Sequence, residues 1–121
     1  MNTSQKGKEG ENRAITYLKE AGYRITERNY RKKEGEIDII AEKDGEMVFL
    51  EVKSLSGLDS LELEGLVNRK KRDRIIRTAR EYLFEKGIAE TRRLRFDVIL
   101  CERHQNTITH YENAFTESGI L

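Results

Sequence analysis

Asp38, Glu51 and Lys53 are two acids and an amine carried on two apolar runs, GEIDIIA and MVFLEVK, which the polar stretch EKDGE joins. Asp44-Gly45 is a hairpin signal, because both central residues of a type I′ turn need positive φ, which Gly takes freely and Asp tolerates. Such a turn sets Lys43 opposite Glu46. Counting down the ladder, Ile39 faces Leu50, Ala41 faces Val48 and Ile37 faces Val52 on one wholly apolar side. The other side carries Ile40 against Phe49, Asp38 against Glu51 and Glu36 against Lys53. Opposed Cβ atoms stand ~4.5–5.5 Å apart, and two unit charges ~5 Å apart repel by roughly 3 kcal/mol at an effective dielectric near 20. A proton, solvent, a cation or Lys53 must offset that repulsion. A hard divalent ion such as Mg²⁺ is one answer, since it is held by one or two carboxylates and leaves positions for water and phosphate oxygens. The plain alternatives are acids facing solvent and a cross-strand ion pair between Glu36 and Lys53.

The elements around this hairpin decide what reaches it. From about Lys6 to Ala21 the residues Ala14, Ile15, Leu18 and Ala21 recur at helical spacing, with Gly22 as a C-terminal cap. Glu11 shares that face at the head of the apolar stripe and is aimed inward; its simpler role is an acid favoured near a helix N-terminus. YRITERNYR alternates loosely as a strand. SLSGLDSLELEG reads as a loop or irregular edge, although Leu55, Leu58, Leu61, Leu63 and Leu66 exceed what a plain loop needs and would suit packing on the domain or a homodimer contact. A long helix is predicted from about Val67 to Lys86, on the stripe Ile75, Ile76, Ala79, Tyr82 and Leu83, ending near Gly87. Lys71 heads that stripe, where it reaches a phosphate or snorkels at the helix edge, while Lys70, Arg74 and Arg77 point outward. LRFDVILCE and TITHYENAF close the chain as two strands around the turn RHQN. Helix, three strands, helix and two strands make an α/β layered domain.

With 121 residues, the chain suits a single domain spanning 1–121. Charged residues make up 37% against ~25% in an average soluble protein, and this excess belongs on the surface. The net charge is only +1, so the chain as a whole is not a polycation and distribution matters more. Positive charge gathers at Arg28, Arg31, Lys32 and Lys33, along Arg69 to Arg80, and at Arg92, Arg93 and Arg95; any one such cluster also suits a solvated face. His104 and His110 lack helical metal spacing, Cys101 suits a strand interior, and Asp97 suits a structural or supporting role better than direct ligation. One cysteine cannot form an internal disulfide, no run approaches the ~18 apolar residues of a membrane span, and MNTSQKGKEGE lacks the apolar stretch of a secretory signal. These features predict a cytoplasmic protein with no membrane partner.

Asp38 followed by Glu51-Val52-Lys53, on a hairpin preceded by a helix bearing Glu11, resembles the PD-(D/E)xK nuclease core. More closely, the chain resembles the uncharacterised YraN-like family, itself similar to archaeal Holliday-junction resolvases. The likeness runs through KGKEGENRAITYL, GYRITERNYR, GEIDIIA, VFLEVKS, LVNRKKRDRIIRTAREYL, RFDVIL and the closing NAF, in that order, over most of the chain. It departs just after Lys53, where Leu55 stands and proline is absent.

The resemblance implies a restriction-endonuclease-like fold, with a central mixed β-sheet of about five strands flanked by helices. It also implies that Asp38, Glu51 and the Val52 carbonyl ligate Mg²⁺ or Mn²⁺, that Lys53 acts at the attacking water, and that Glu11 supports the metal or the water. Lys71 matches a basic position in the family's second helix. With Arg69, Lys70, Arg74, Arg31 and Lys32 it forms the expected contact surface for DNA, branched DNA being the family-level expectation. The expected activity is metal-dependent DNA endonuclease action. The rival expectations are a nucleic-acid-binding domain of nuclease-like fold without turnover, and a protein-interaction domain.

Overall fold

The computed structural model describes residues 3–55, 63–89, 91–117 and 119–120. Helix α1 (Thr3–Glu20) leads into β1 (Arg24–Lys32), β2 (Gly35–Lys43) and β3 (Glu46–Leu55), then a single turn α2 (Leu63–Leu66) and the long α3 (Arg69–Lys86). Strands β4 (Leu94–Glu102), β5 (Thr107–Tyr111), β6 (Phe115–Thr116) and β7 (Gly119–Ile120) follow. The main sheet has five strands in the order β1-β2-β3-β4-β5, and β6 with β7 forms a separate small ribbon. Only β3 and β4 run parallel in the main sheet. A parallel neighbour cannot be reached by a tight turn and needs a crossover, and the connection between β3 and β4 contains α3. The result is the mixed, helix-flanked sheet expected from the sequence, consistent with a nuclease-like fold.

Side chains leaving opposite faces of the sheet build two cores. Val48, Leu50, Ile39, Ala41, Ile99 and Cys101 pack with Ala14, Ile15 and Leu18 of α1. Phe49, Ile40, Met47 and Val98 pack with Ile75, Ile76, Ala79 and Tyr82 of α3. The Asp44-Gly45 turn has both φ angles positive, at 50° and 81°, and the hairpin pairs Lys43 with Glu46 and Ile39 with Leu50 as predicted.

Several boundaries differ from the sequence reading. Helix α1 starts at Thr3, so Glu11 lies well inside it and the helix-terminus explanation for this acid does not apply. Helix α3 starts at Arg69 because Asn68 caps it, its side chain accepting the Lys71 amide N–H at 2.9 Å. It ends as predicted at Gly87, which takes the left-handed conformation with φ 65°. TITHYENAF splits into β5 and β6 around Asn113, whose φ is 51°. In the segment read as a loop, Leu66 is buried and Leu55 and Leu63 pack against the α3 core, while Leu58 and Leu61 lie outside the described residues. Among the described residues no helix is long and apolar enough to cross a membrane.

Candidate active site

The β2–β3 ladder stops at Ile39 and Leu50. The expected pairs Asp38–Glu51, Ile37–Val52 and Glu36–Lys53 do not form as strand partners, and Ile37 leaves the predicted face to join the α3 core. Glu36 pairs instead with Arg31 of β1, across the strands and through an ion pair of 3.1 Å. The physical reason lies in Asp38. Its Oδ2 accepts the backbone N–H of Val52 at 2.8 Å, so a side chain takes the place of a ladder carbonyl where the two strands separate. The divergence opens a gap at the sheet and leaves Asp38 lining it.

Glu51 and Lys53 leave β3 on the α3 side, as alternation with Phe49 requires. Glu51 is buried, at 6% exposure. The Lys71 ammonium, hanging from the first turn of α3, meets Glu51 Oε1 at 2.7 Å. Burial pushes Asp38 up from 3.8 to about 7, and the Glu51 charge adds to that shift. Burial also lowers Lys53, helped by hydrogen bonding with Lys71 and by its positive charge. Burial opposes the charge on Lys71, but the Glu51 carboxylate outweighs it and raises its pKa. The structure thus gathers Asp38, Glu51, Lys53 and Lys71 into one interacting group. The pairing of Lys71 with Glu51 and Lys53 was not foreseen; its position at the head of the helix stripe was the only sequence signal.

Two clefts meet at Asp38. The first, of about 640 Å³, is lined by Asp38 and Glu51 together with Arg31, Lys32, Lys70, Lys71 and Arg74. Five of the six expected nucleic-acid contacts therefore face one cavity with the acids; Arg69 does not line it. Lys32 is tied to Glu85 at 2.5 Å, whereas Lys70 and Arg74 have no acidic partner among the described residues. The second cleft, of about 480 Å³, joins Asp38 and Val52 to Glu11, Arg28 and Asn29.

Glu11 reaches this second cleft because of the residue before it. Gly10 lies so close to the end of β3 that a Cβ placed there would come within 2.0 Å of Ser54 Oγ. Buried Cys101 adds a thiol hydrogen bond to the Gly10 carbonyl at 3.4 Å. A glycine inside a helix is unfavourable by ~1 kcal/mol relative to alanine, but here it lets α1 sit down on the sheet. Glu11 then accepts from Asn29 Nδ2 at 2.8 Å and meets Arg28 at 3.5 Å. Asn29 lies within β1 with a φ of 51°, and the Glu11 charge is one of the causes that raise Asp38.

The third basic cluster is not part of this site. Arg92 pairs with Glu42, Arg93 with Glu46, and Arg95 with Glu46, Asp97 and Glu112. Asp97 is fully buried and accepts from Arg95 Nη2 at 2.8 Å, from His110 Nε2 at 2.6 Å and from the Asn113 N–H at 2.9 Å. Burial alone would raise Asp97, but these donors hold it below the usual carboxylate range. His110 in turn meets Tyr17 through Nδ1 at 2.8 Å. This network ties α1 to β4, β5 and the Asn113 turn, in keeping with a structural role for Asp97.

Among the described residues, no three of His, Cys, Asp and Glu form a cage able to hold a metal by themselves. The donor set is two carboxylates, Asp38 and Glu51, with the Val52 peptide beside them. That set fits a hard cation such as Mg²⁺, which is held by one or two carboxylates and keeps several waters. The raised Asp38 is the observation in favour, because its charge is disfavoured by burial and by Glu51, and a dication between them would relieve both.

A five-stranded mixed sheet flanked by helices, with acids and lysines gathered where two strands part, places the protein among α/β domains consistent with the nuclease-like class. The chain belongs to the uncharacterised protein family UPF0102, the YraN-like family, whose family model matches residues 10–101. It is 46% identical over 110 residues to a UPF0102 protein of Persephonella marina, covering 91% of this chain and 92% of that protein. A UPF0102 protein of a Sulfurihydrogenibium species is 41% identical over 116 residues, covering 96% and 98% of the two chains. One from Clostridioides difficile is 43% identical over 115 residues, covering 95% and 100%. The names of these relatives state no activity.

Proposed function

We infer that this protein is a metal-dependent nuclease that hydrolyses phosphodiester bonds in DNA. The observation that carries the reading is the convergence of Asp38, Glu51 and Lys71 at one cleft whose rim bears Lys70 and Arg74, with Lys53 acting on the same group through Lys71, Glu51 and Asp38. Acids and amines perturbed by burial and by specific charged partners in a cleft are candidates for a functional site. Asp38, Glu51 and the Val52 carbonyl would hold Mg²⁺ or Mn²⁺, which when bound supplies a polarised phosphate and a more acidic water.

The chain's own residues do the remaining work. Lys53, whose pKa is lowered by burial and by Lys71, would orient or help deprotonate the attacking water, or balance the developing negative charge. Lys71 stays charged and faces developing negative charge on the phosphate. Lys70 and Arg74 hold the backbone on either side, through contacts that carry no base information. Branched DNA is the substrate we propose first, on the resemblance to junction resolvases. A single buried thiol, Cys101, suits a reducing, cytoplasmic setting.

The test is incubation of the purified protein with supercoiled, single-stranded and four-way-junction DNA in Mg²⁺ or Mn²⁺. Cleavage that disappears in Asp38→Ala and Lys53→Ala supports the reading. Cleavage that persists equally in both variants, or is absent from the wild type on every substrate, rejects it. The second reading, a nucleic-acid-binding domain without turnover, is favoured by the Lys71–Glu51 pair, which already neutralises one of the two acids. It predicts the same salt-sensitive DNA binding with no cleavage.

A further inference from the structure

The Lys71 ammonium serves two neighbourhoods at once. It lies 2.7 Å from Glu51 Oε1, while the same residue lines the cleft shared by Lys70, Arg74 and Asn68. Its backbone is fixed, since its N–H donates to the Asn68 cap at 2.9 Å. Only the side chain is free to move. A lysine is a compact charge with three donors on a flexible four-carbon stem, so exchanging a carboxylate at the cleft wall for an anion in the cleft needs no change in α3. Arg72, one residue further along the helix, cannot substitute for it at Glu51, because it is buried and locked by Glu64 at 2.8 Å and by the Val67 carbonyl at 2.9 Å.

We propose that Lys71 is an exchangeable counter-ion, which yields Glu51 to a divalent cation and carries its charge to a phosphate oxygen of bound nucleic acid, so that cation and polyanion bind with positive coupling. The identities of the cation and the polyanion rest on the nuclease reading; the inference adds that one lysine competes with the first and recruits the second. A dication and an ammonium repel each other and cannot both neutralise Oε1 at contact distance. Removing Lys71 therefore moves the two affinities in opposite directions, tightening the metal and weakening the DNA. An ion pair that stays closed shifts the two affinities without linking them, whereas exchange makes the binding of one ligand depend on the other. Linkage makes the effect reciprocal, so DNA must tighten cation binding by the same factor as the cation tightens DNA binding.

Isothermal titration of MnCl₂ alone into wild type, Lys71→Met and Lys71→Gln reads the first half. Anisotropy of a short labelled duplex, with and without CaCl₂, reads the second. Asp38→Ala serves as the site control, and circular dichroism confirms that each variant is folded. Both Lys71 variants are expected to bind Mn²⁺ about tenfold more tightly than wild type, within the ~5–150-fold range usual for coupled sites. They are also expected to bind duplex more weakly than wild type when Ca²⁺ is present. Unchanged or weaker Mn²⁺ binding in both Lys71 variants, with binding still lost in Asp38→Ala, overturns the exchange and leaves the nuclease reading standing. Mn²⁺ binding that ignores Asp38→Ala overturns both.

Discussion

Asp38→Asn is expected to stabilise the protein while removing its proposed activity, with a gain that grows as pH rises. Asparagine keeps the shape of the side chain and the carbonyl that accepts the Val52 N–H, but it carries no charge. The wild-type acid moves from 3.8 to about 7 in the fold, burial being the larger cause and Glu51 the second. A raised carboxylate means that the folded state binds more protons than the unfolded chain between those two values, so stability falls as pH rises through that window. Each tenfold change in proton affinity is worth ~1.4 kcal/mol, which puts the full cost of ionising Asp38 at about 4 kcal/mol or less. Below pH ~4 wild type and Asp38→Asn should be nearly equal, and above pH ~7.5 the difference should level off at its maximum.

Urea unfolding in EDTA, at pH values spanning about 4 to 8, measures this difference as a shift in midpoint at constant slope. Excess Mn²⁺ should then raise the wild type alone, by mass action on the native state, and close the gap at high pH. A difference that stays flat across the pH range would refute the account of Asp38. Equal stabilisation of both proteins by Mn²⁺ would refute the placement of the cation at this carboxylate.

Three further outcomes follow from named contacts. Replacing Lys70 and Arg74 together by alanine should weaken duplex binding evenly across sequences and lower the slope of log K against log salt by about 2, as expected for two lost phosphate contacts; a loss that depends on base sequence would contradict backbone holding. Asp97→Ala strands the Arg95 and His110 partners of a fully buried acid and should cost about 3–5 kcal/mol in chemical denaturation, a loss under ~1 kcal/mol being the contrary result. Gly10→Ala forces a Cβ against Ser54 Oγ and should destabilise by about 1–3 kcal/mol as overpacking does. Adding Ser54→Gly should recover most of that loss in a double-mutant cycle, and additivity of the two changes would rule out the contact.

The hairpin was legible because Asp44 and Gly45 fix the turn, and a turn fixes every partner up to the point where the ladder ends. Its end was not legible. Alternation continues through GEIDIIA without a break, and nothing in that pattern says that the Asp38 side chain, rather than a main-chain carbonyl, will receive the Val52 N–H. Helical spacing placed Lys71 at the head of the α3 stripe, but its contact with Glu51 depends on how α3 lies over β3, which is set by packing between Phe49, Ile75 and Tyr82. The cluster Arg92, Arg93 and Arg95 looked equivalent to the other basic runs, and apart from Asp97 its acids lie far away in sequence, at Glu42, Glu46 and Glu112. Charge runs show where cations sit along the chain; the sheet decides which of them are neutralised.

Two aspartates in this domain show how differently the same group is treated. Asp97 is completely enclosed, yet a guanidinium, an imidazole and a main-chain N–H surround it, and its carboxyl is held below the ordinary range. Asp38 is held above that range, receives one hydrogen bond among the described residues, and shares its neighbourhood with Glu51 and Glu11, both of which oppose its charge. The fold therefore surrounds Asp97 with donors and leaves Asp38 opposed by its neighbours. Satisfied acids fix a structure, whereas an acid kept under repulsion at the meeting of two clefts is stabilised by whatever cation enters. Lys71 answers part of that demand through Glu51, but a single ammonium cannot balance Asp38 as well. That imbalance lies where Lys70 and Arg74 face the same cleft, and the proposed joint binding of a divalent cation and a phosphate would answer it.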